Sequence, residues 1–296
     1  MRILFCGDVM GRSGREAVTG NVPRLRRELA LDFVAVNGEN AAGGYGITAK
    51  ICQDFYAAGV DCITTGNHAW DQREIIGYID RDPRLLRPLN YPRGTPGRGL
   101  GVYTLPTGRK IVVVQVITRL FMDALDDPFA ALEAALAQYP LPGAAQAILL
   151  DIHGEATSEK MALGHLADGR VSMAVGSHSH VPTADAQILP RGTAYQTDAG
   201  MCGDYNSVIG LKMEIAIQRF VRKLPTERLT PAEGPGTLCA VLVETDDKTG
   251  LARSIAPLRL GGRLQPTPPG GSARQAALRA RDSPHLRHIG LLPRGP

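Results

Sequence analysis

The chain has 296 residues, 44% of them hydrophobic and only 5% aromatic, enough for a full core built mainly from Ala, Leu, Val and Ile. Its net charge of +4 is a property of the tail: residues 263–296 hold six arginines and one aspartate, so the chain before them is near neutral and gives no bulk signal for nucleic-acid affinity. No apolar run approaches a membrane span, Ile3 to Cys6 is too short for a signal-peptide core, and the five scattered cysteines form no CxxC pair, which argues against a disulfide framework or a thiolate zinc site and for a reduced, cytoplasmic protein.

Arg2 to Gly7 reads as a first strand, ending in Gly7-Asp8-Val9-Met10-Gly11. Arg12 to Ala30 follows as a helix with Val18, Val22, Leu25 and Leu29 inward, and Pro23 predicts a break within it. Phe33 to Val36 is a second strand that runs into Asn37-Gly38-Glu39-Asn40. Thr48 is placed to N-cap a helix through Ala58. Val60 to Thr65 is a third strand, ending at Gly66, where glycine permits a sharp turn before Asn67-His68. A helix from Gln72 to Ile79 comes next, and then residues 81–110, rich in Arg, Pro and Gly, are expected to wander.

Ile111 to Ile117 is a β-branched strand, and Pro128 to Gln138 an alanine-rich helix. Ala147 to Asp151 is a strand that leads into His153. Ser158 to Leu166 is helical. Ser172 to Val175 is a strand that leads into Gly176-Ser177-His178-Ser179-His180. A hairpin is expected over Pro190-Arg191-Gly192, a helix near Ile209–Val221 capped by Ser207, and a last strand pair, Gly236–Thr245 and Ser254–Leu260. Strand–helix alternation with a β-rich end predicts an α/β fold of layered mixed sheets. Residues 1–262 form one domain in this reading, and 263–296 a disordered Pro/Gly/Arg-rich tail.

Five strands in succession thus end in polar clusters: Asp8, Glu39-Asn40, Asn67-His68, His153, and His178 with His180. Singly, each has an ordinary explanation, such as a helix cap or a hydrogen-bonded core histidine. Together they hold four of the chain's seven histidines at one edge of the sheets, where ligands bind in α/β folds. Carboxylate, carboxamide and imidazole without sulfur suit Mn²⁺, Fe or Zn²⁺ rather than Ca²⁺. The set exceeds what one tetrahedral ion needs and suits two ions sharing a carboxylate. His178 and His180 alternate along an extended segment in this reading. Asn67 and His68 look like a ligand and a proton donor side by side.

In this order the motifs (Gly7-Asp8-x-x-Gly11, Gly66-Asn67-His68, His153, Gly176-x-His178-x-His180) resemble the calcineurin-like metallophosphoesterase superfamily, over roughly residues 1–260. Met10 stands where the superfamily usually has a His, and Glu39 where it has the bridging Asp. Those departures, with Asn37 to Gly44 and Asp198-Ala199-Gly200-Met201, resemble the bacterial YmdB-like branch, which is associated with hydrolysis of cyclic nucleotides, chiefly 2′,3′-cyclic ones. The resemblance implies two mixed β-sheets in a sandwich flanked by helices. It implies that Asp8 and His180 hold a first metal, that Asn67, His153 and His178 hold a second, that Glu39 bridges, and that Asn40 replaces the ligand lost at Met10. His68 stays free of metal.

The implied chemistry is a metal-bridging hydroxide attacking the phosphodiester, with His68 as general acid toward the leaving ribose oxygen and a 3′-nucleotide as product. The implied cofactors are two divalent or mixed-valence ions, Fe or Mn first and Zn second. The partners are a small phosphodiester substrate and, as an open expectation, a second copy of the chain. A phosphomonoesterase with the same metals and a nucleotide-sensing regulator with slow catalysis are the alternatives. RNA contact through the tail is less favoured, because no aromatics separate its arginines. The loop from Gly7 lacks the Gly-Lys-Ser/Thr ending of a nucleotide-binding P-loop.

Overall fold

Period-two alternation on the central strands decides the layering. In β1 (Arg2–Cys6) and β2 (Phe33–Asn37), Ile3, Phe5, Phe33 and Ala35 face one way, and Leu4, Cys6, Val34 and Val36 the other. All eight are buried, so both faces of the sheet must be covered. The structure, a computed structural model describing residues 1–224 and 227–268, shows how.

The first sheet adds β3 (Cys62–Thr64), β4 (Leu85–Leu86), β11 (Leu238–Thr245) and β12 (Ala252–Leu260), in the order β12-β11-β1-β2-β3-β4. The second contains β5 (Leu100–Thr104), β6 (Lys110–Ile117), β7 (Ala147–His153), β8 (Met173–Ser177), β9 (Gln187–Ile188) and β10 (Ala194–Gln196), in the order β5-β6-β7-β8-β10-β9. Each is mixed: β1 to β4 run parallel, as do β6, β7, β8 and β10, with antiparallel strands outside. The inner faces pack together through Ile3, Phe5 and Phe33 against Ile111, Val113 and Leu149. Helices α1 (Gly11–Glu28), α2 (Ala49–Ala57) and α3 (Glu74–Tyr78) contribute to the core on the outside of the first sheet. Helices α4 (Pro128–Gln138) and α5 (Thr157–Leu166) cover the second. This is the expected sandwich of two mixed sheets flanked by helices.

Several local expectations change. Helix α1 runs through Pro23 without a break. The lost hydrogen bond and ring clash cost roughly 3 kcal/mol, but Val22 and Leu25, on either side of the proline, are buried on the same stripe as Val18, which offsets it. Residues 81–110 are not strand-free: β4 is too short to show a period, and β5 is a half-exposed edge strand whose glycine breaks the pattern. Ser207 caps no helix. Its hydroxyl accepts from Gly210 N and closes a turn, and α6 (Met213–Arg222) starts later. The tail is still ordered at Thr267, which pairs with Arg259; the rest of the expected disorder, from residue 269 on, lies outside the described residues. No helix among the described residues is long and apolar enough to cross a membrane.

Candidate metal centre

The parallel strands of both sheets deliver their carboxyl ends to one place. Asp8 follows β1, Glu39 and Asn40 follow β2, and Asn67 and His68 follow β3; His153 ends β7, and His178 and His180 follow β8. The donor atoms of Asp8, Glu39 and His180 lie within 4.8 Å of one another, as do those of Glu39, His153 and His178, so Glu39 belongs to both groups. Asn67 Oδ1 stands 2.9 Å from His153 Nε2, and Asn40 Oδ1 3.2 Å from His180 Nε2. Every residue expected to hold metal therefore lies in this cluster. His68 sits at its rim. Gly66 is needed for a reason other than the expected turn: its φ is not positive, but a Cβ would strike Glu39 Oε2 and the His153 ring.

A layer of polar side chains supports the cluster. Alternation puts Asp151 two residues before His153 on the inner face of β7, and Asn37, Thr64 and Gln115 donate to the same Asp151 oxygen, Oδ2, from β2, β3 and β6. Ser177 donates to Asp151 Oδ1 at 2.6 Å, and so its oxygen can accept at 2.9 Å from His153 Nδ1. That bond makes Nδ1 the protonated nitrogen and leaves the Nε2 lone pair facing Asn67 and Glu39. His180 repeats the device: Nδ1 donates to the Ile209 carbonyl at 2.8 Å, leaving Nε2 toward Asn40. Ile209 sits in the left-handed region (φ 47°) within the turn closed by Ser207.

Two imidazole lone pairs thus face carboxamide oxygens, acceptor against acceptor. Such contacts need a cation between them, and the donor set of imidazole, carboxamide and carboxylate fits a borderline divalent ion. At His153, in the protein alone, a proton plays that part. Burial would push His153 down, but the Glu39 charge and hydrogen bond outweigh it and bring it up to about 9. Burial would likewise raise Glu39, yet His153 holds it at about 2. Asp8 is pushed up to about 6 by burial, with Asp198 adding and His180 opposing. Burial and then the charge of His153 push His178 down to about 3. Asp151 is raised, chiefly by burial.

The expected extended segment at His178 and His180 is instead left-handed at both histidines (φ 97° and 64°). Strain of this kind persists only where surroundings over-determine it. Here His178 N donates to both oxygens of Asp8, at 3.1 and 3.0 Å, and Ser179 N donates to Asp198. Behind the loop, Lys160 Nζ, only 1% exposed, donates to the Ser177 carbonyl at 2.7 Å and to Asp198 at 2.8 Å.

His68 donates its backbone N–H to Glu39 Oε2, and its Nδ1 lies 2.8 Å from Asp71 Oδ2. Its Nε2 has no protein partner among the described residues. The ring lines a cleft of about 340 Å³ together with Met10, Glu39, Asn40, His178 and His180. Tyr45 meets it edge-on, with centroids 5.2 Å apart. Arg12 and Arg15 point elsewhere, toward Glu233 and the Ala41 carbonyl.

Sequence reasoning missed Asp71, Asp151, Ser177, Lys160 and Asp198. Asp151 was within reach, since a carboxylate two residues before a strand-end histidine shares its face. Lys160 was not, because nothing local marks a helical lysine as buried.

A family profile described as YmdB-like protein matches residues 4–258. The chain is 47% identical over 255 residues to a 2′,3′-cyclic-nucleotide 2′-phosphodiesterase of Bacillus subtilis, covering 86% of this chain and 95% of that one. Among solved structures, a hypothetical protein of Thermus thermophilus superposes with a TM-score of 0.82 at 42% identity, covering 89% of this chain and all of that one. A novel phosphatase of Mycoplasma pneumoniae gives 0.81 at 31% identity, over 88% and 93%.

Proposed function

Since the chain belongs to the YmdB-like family, we propose that it is a metal-dependent phosphoric diester hydrolase that opens 2′,3′-cyclic nucleotides at the 2′ bond and leaves 3′-nucleotides. Asp8, His180, Glu39 and Asn40 would hold one divalent ion, and Glu39, Asn67, His153 and His178 a second. Such a pair supplies hydroxide at neutral pH and offsets charge at phosphorus.

The chain's own residues do the rest. The Ser177 and Ile209 contacts tie down each Nδ1 and aim each Nε2 at Asn67 and Asn40. Gly66 lets Glu39 and His153 approach. His68, as imidazolium, hands the Nε2 proton to the departing ribose oxygen, while Asp71 fixes the ring through Nδ1. A ribose alkoxide is a poor leaving group, so an acid there favours the diester over a monoester reading.

The observation that carries this proposal is His68, anchored at Nδ1 and open at Nε2 on the cleft lined by Glu39, Asn40, His178 and His180. The experiment is hydrolysis of 2′,3′-cAMP by Mn²⁺- and Fe²⁺-loaded protein, with the product separated. Release of 3′-AMP supports the proposal; release of 2′-AMP, or turnover of phosphomonoesters alone, overturns it.

A further inference from the structure

The cleft does not end at His68. A second cavity of about 540 Å³ adjoins it, lined by Tyr45, Asp71, Gln72, Arg219, Arg228 and neighbouring residues. Tyr45 lines both cavities, and Asp71, which orients the His68 ring, lines the second. The floor is built rather than incidental. Gln72 Nε2 donates to the Tyr45 carbonyl at 2.7 Å, and Gly46 (φ 76°) leaves no room for a Cβ beside Gln72. Arg219, in the last turn of α6, and Arg228, beyond it, supply two guanidiniums, with the Arg228 Cζ 5.8 Å from the Tyr45 ring centroid. Two carboxylates share the lining: Asp71, already taken by His68, and Glu227.

The position of this cavity has a chemical meaning that rests on the phosphodiesterase reading. With the cyclic phosphate among the candidate ligands and its leaving oxygen at His68, the space open to the rest of the nucleotide includes the side past His68, where Tyr45 lines both cavities. On that side lie an aromatic ring able to meet a base, and then two planar cations of the kind that match phosphate bidentately. We propose that Arg219 and Arg228 bind a phosphoryl group on the 5′ oxygen of the substrate. The preferred substrate class is then a 2′,3′-cyclic ester that also carries a 5′-phosphoryl group, either as a 5′-phosphorylated mononucleotide or as the last residue of an oligoribonucleotide.

The test compares kcat/KM for three substrates on Mn²⁺-loaded enzyme: adenosine 2′,3′-cyclic phosphate, its 5′-phosphate, and the ApA dinucleotide ending in 2′,3′-cyclic phosphate. A 5′-phosphoryl group should raise kcat/KM about 10-fold, the scale of a charge-assisted contact, and this ratio should collapse toward one in the Arg219→Ala/Arg228→Ala variant. Calorimetric titration of adenosine 3′,5′-bisphosphate against 3′-AMP should show the same preference without turnover. A larger gain for the monoester assigns the site to mononucleotides, and an equal or larger gain for the dinucleotide assigns it to RNA ends. A ratio near one in the wild type, or one unchanged in the double variant, overturns the inference while leaving the phosphodiesterase reading standing. No turnover of any of the three overturns both.

Discussion

Asp151 and His153 lie two residues apart on β7, face the same way into the layer between the sheets, and are joined by the hydroxyl of Ser177. Through Ser177 the carboxylate decides which nitrogen of His153 turns toward Asn67 and Glu39. Ser177→Ala should therefore lower divalent-metal affinity about 10–100-fold, the usual effect of losing such a partner, with a stability loss of only about 1–3 kcal/mol from the unpaired Nδ1. Metal titration alongside urea unfolding checks both; unchanged affinity would show that the Ser177 bond does not set the tautomer.

Lys160 and Asp198 form an ion pair buried almost completely behind the His178–His180 loop. Removing one partner leaves an uncompensated buried charge, so Lys160→Met should cost about 3–5 kcal/mol in urea unfolding. Lys160→Met/Asp198→Asn should recover part of that loss. A single variant within about 1 kcal/mol of wild type would mean that water reaches the pair.

Gly66→Ala tests the close approach of Glu39 and His153. The added Cβ has no flexible neighbour to displace on either side, since both contacts are candidate ligands. The expected result is sharply reduced metal content, with an overpacking cost of about 1–3 kcal/mol and an unchanged far-ultraviolet dichroism spectrum. Full metal content in the variant would show that the site tolerates the shift.

All five cysteines are free and buried, and burial raises every thiol: Cys6 and Cys62 to about 12, Cys239 to about 11, and Cys52 and Cys202 well above the ordinary thiol range. At pH 8 the native protein should react with no equivalents of a thiol reagent such as Ellman's, and with five after denaturation. A fast-reacting native thiol would point to an opening that the fold does not contain.

The site was far more legible in the sequence than the scaffold that tunes it. Asp8, Glu39, Asn67, His153 and His178 could be read because each follows a short apolar run, and such runs end at one edge of a parallel sheet. The same logic misjudged the His178–His180 segment, where bonds to Asp8 and Asp198 from distant strands impose a left-handed backbone that local pattern cannot reveal. Strands β4 and β5 escaped because one is two residues long and the other is a half-exposed edge, so neither carries a clean period. Helix α1 survived Pro23 because its buried stripe outweighs the local cost. Ser207 was misread because the same hydroxyl that could cap a helix instead closes the turn presenting Ile209 to His180.

The most direct test of the account is the effect of His68→Ala on two leaving groups, measured with metal content in the same samples. For 2′,3′-cAMP, whose leaving alkoxide needs a proton, kcat should fall about 10²–10⁴-fold. For bis-p-nitrophenyl phosphate, whose nitrophenolate leaves unaided, it should fall far less, and metal content should match wild type in both cases. An equal loss on both substrates, or a loss that tracks missing metal, would contradict the assignment of His68 as the acid.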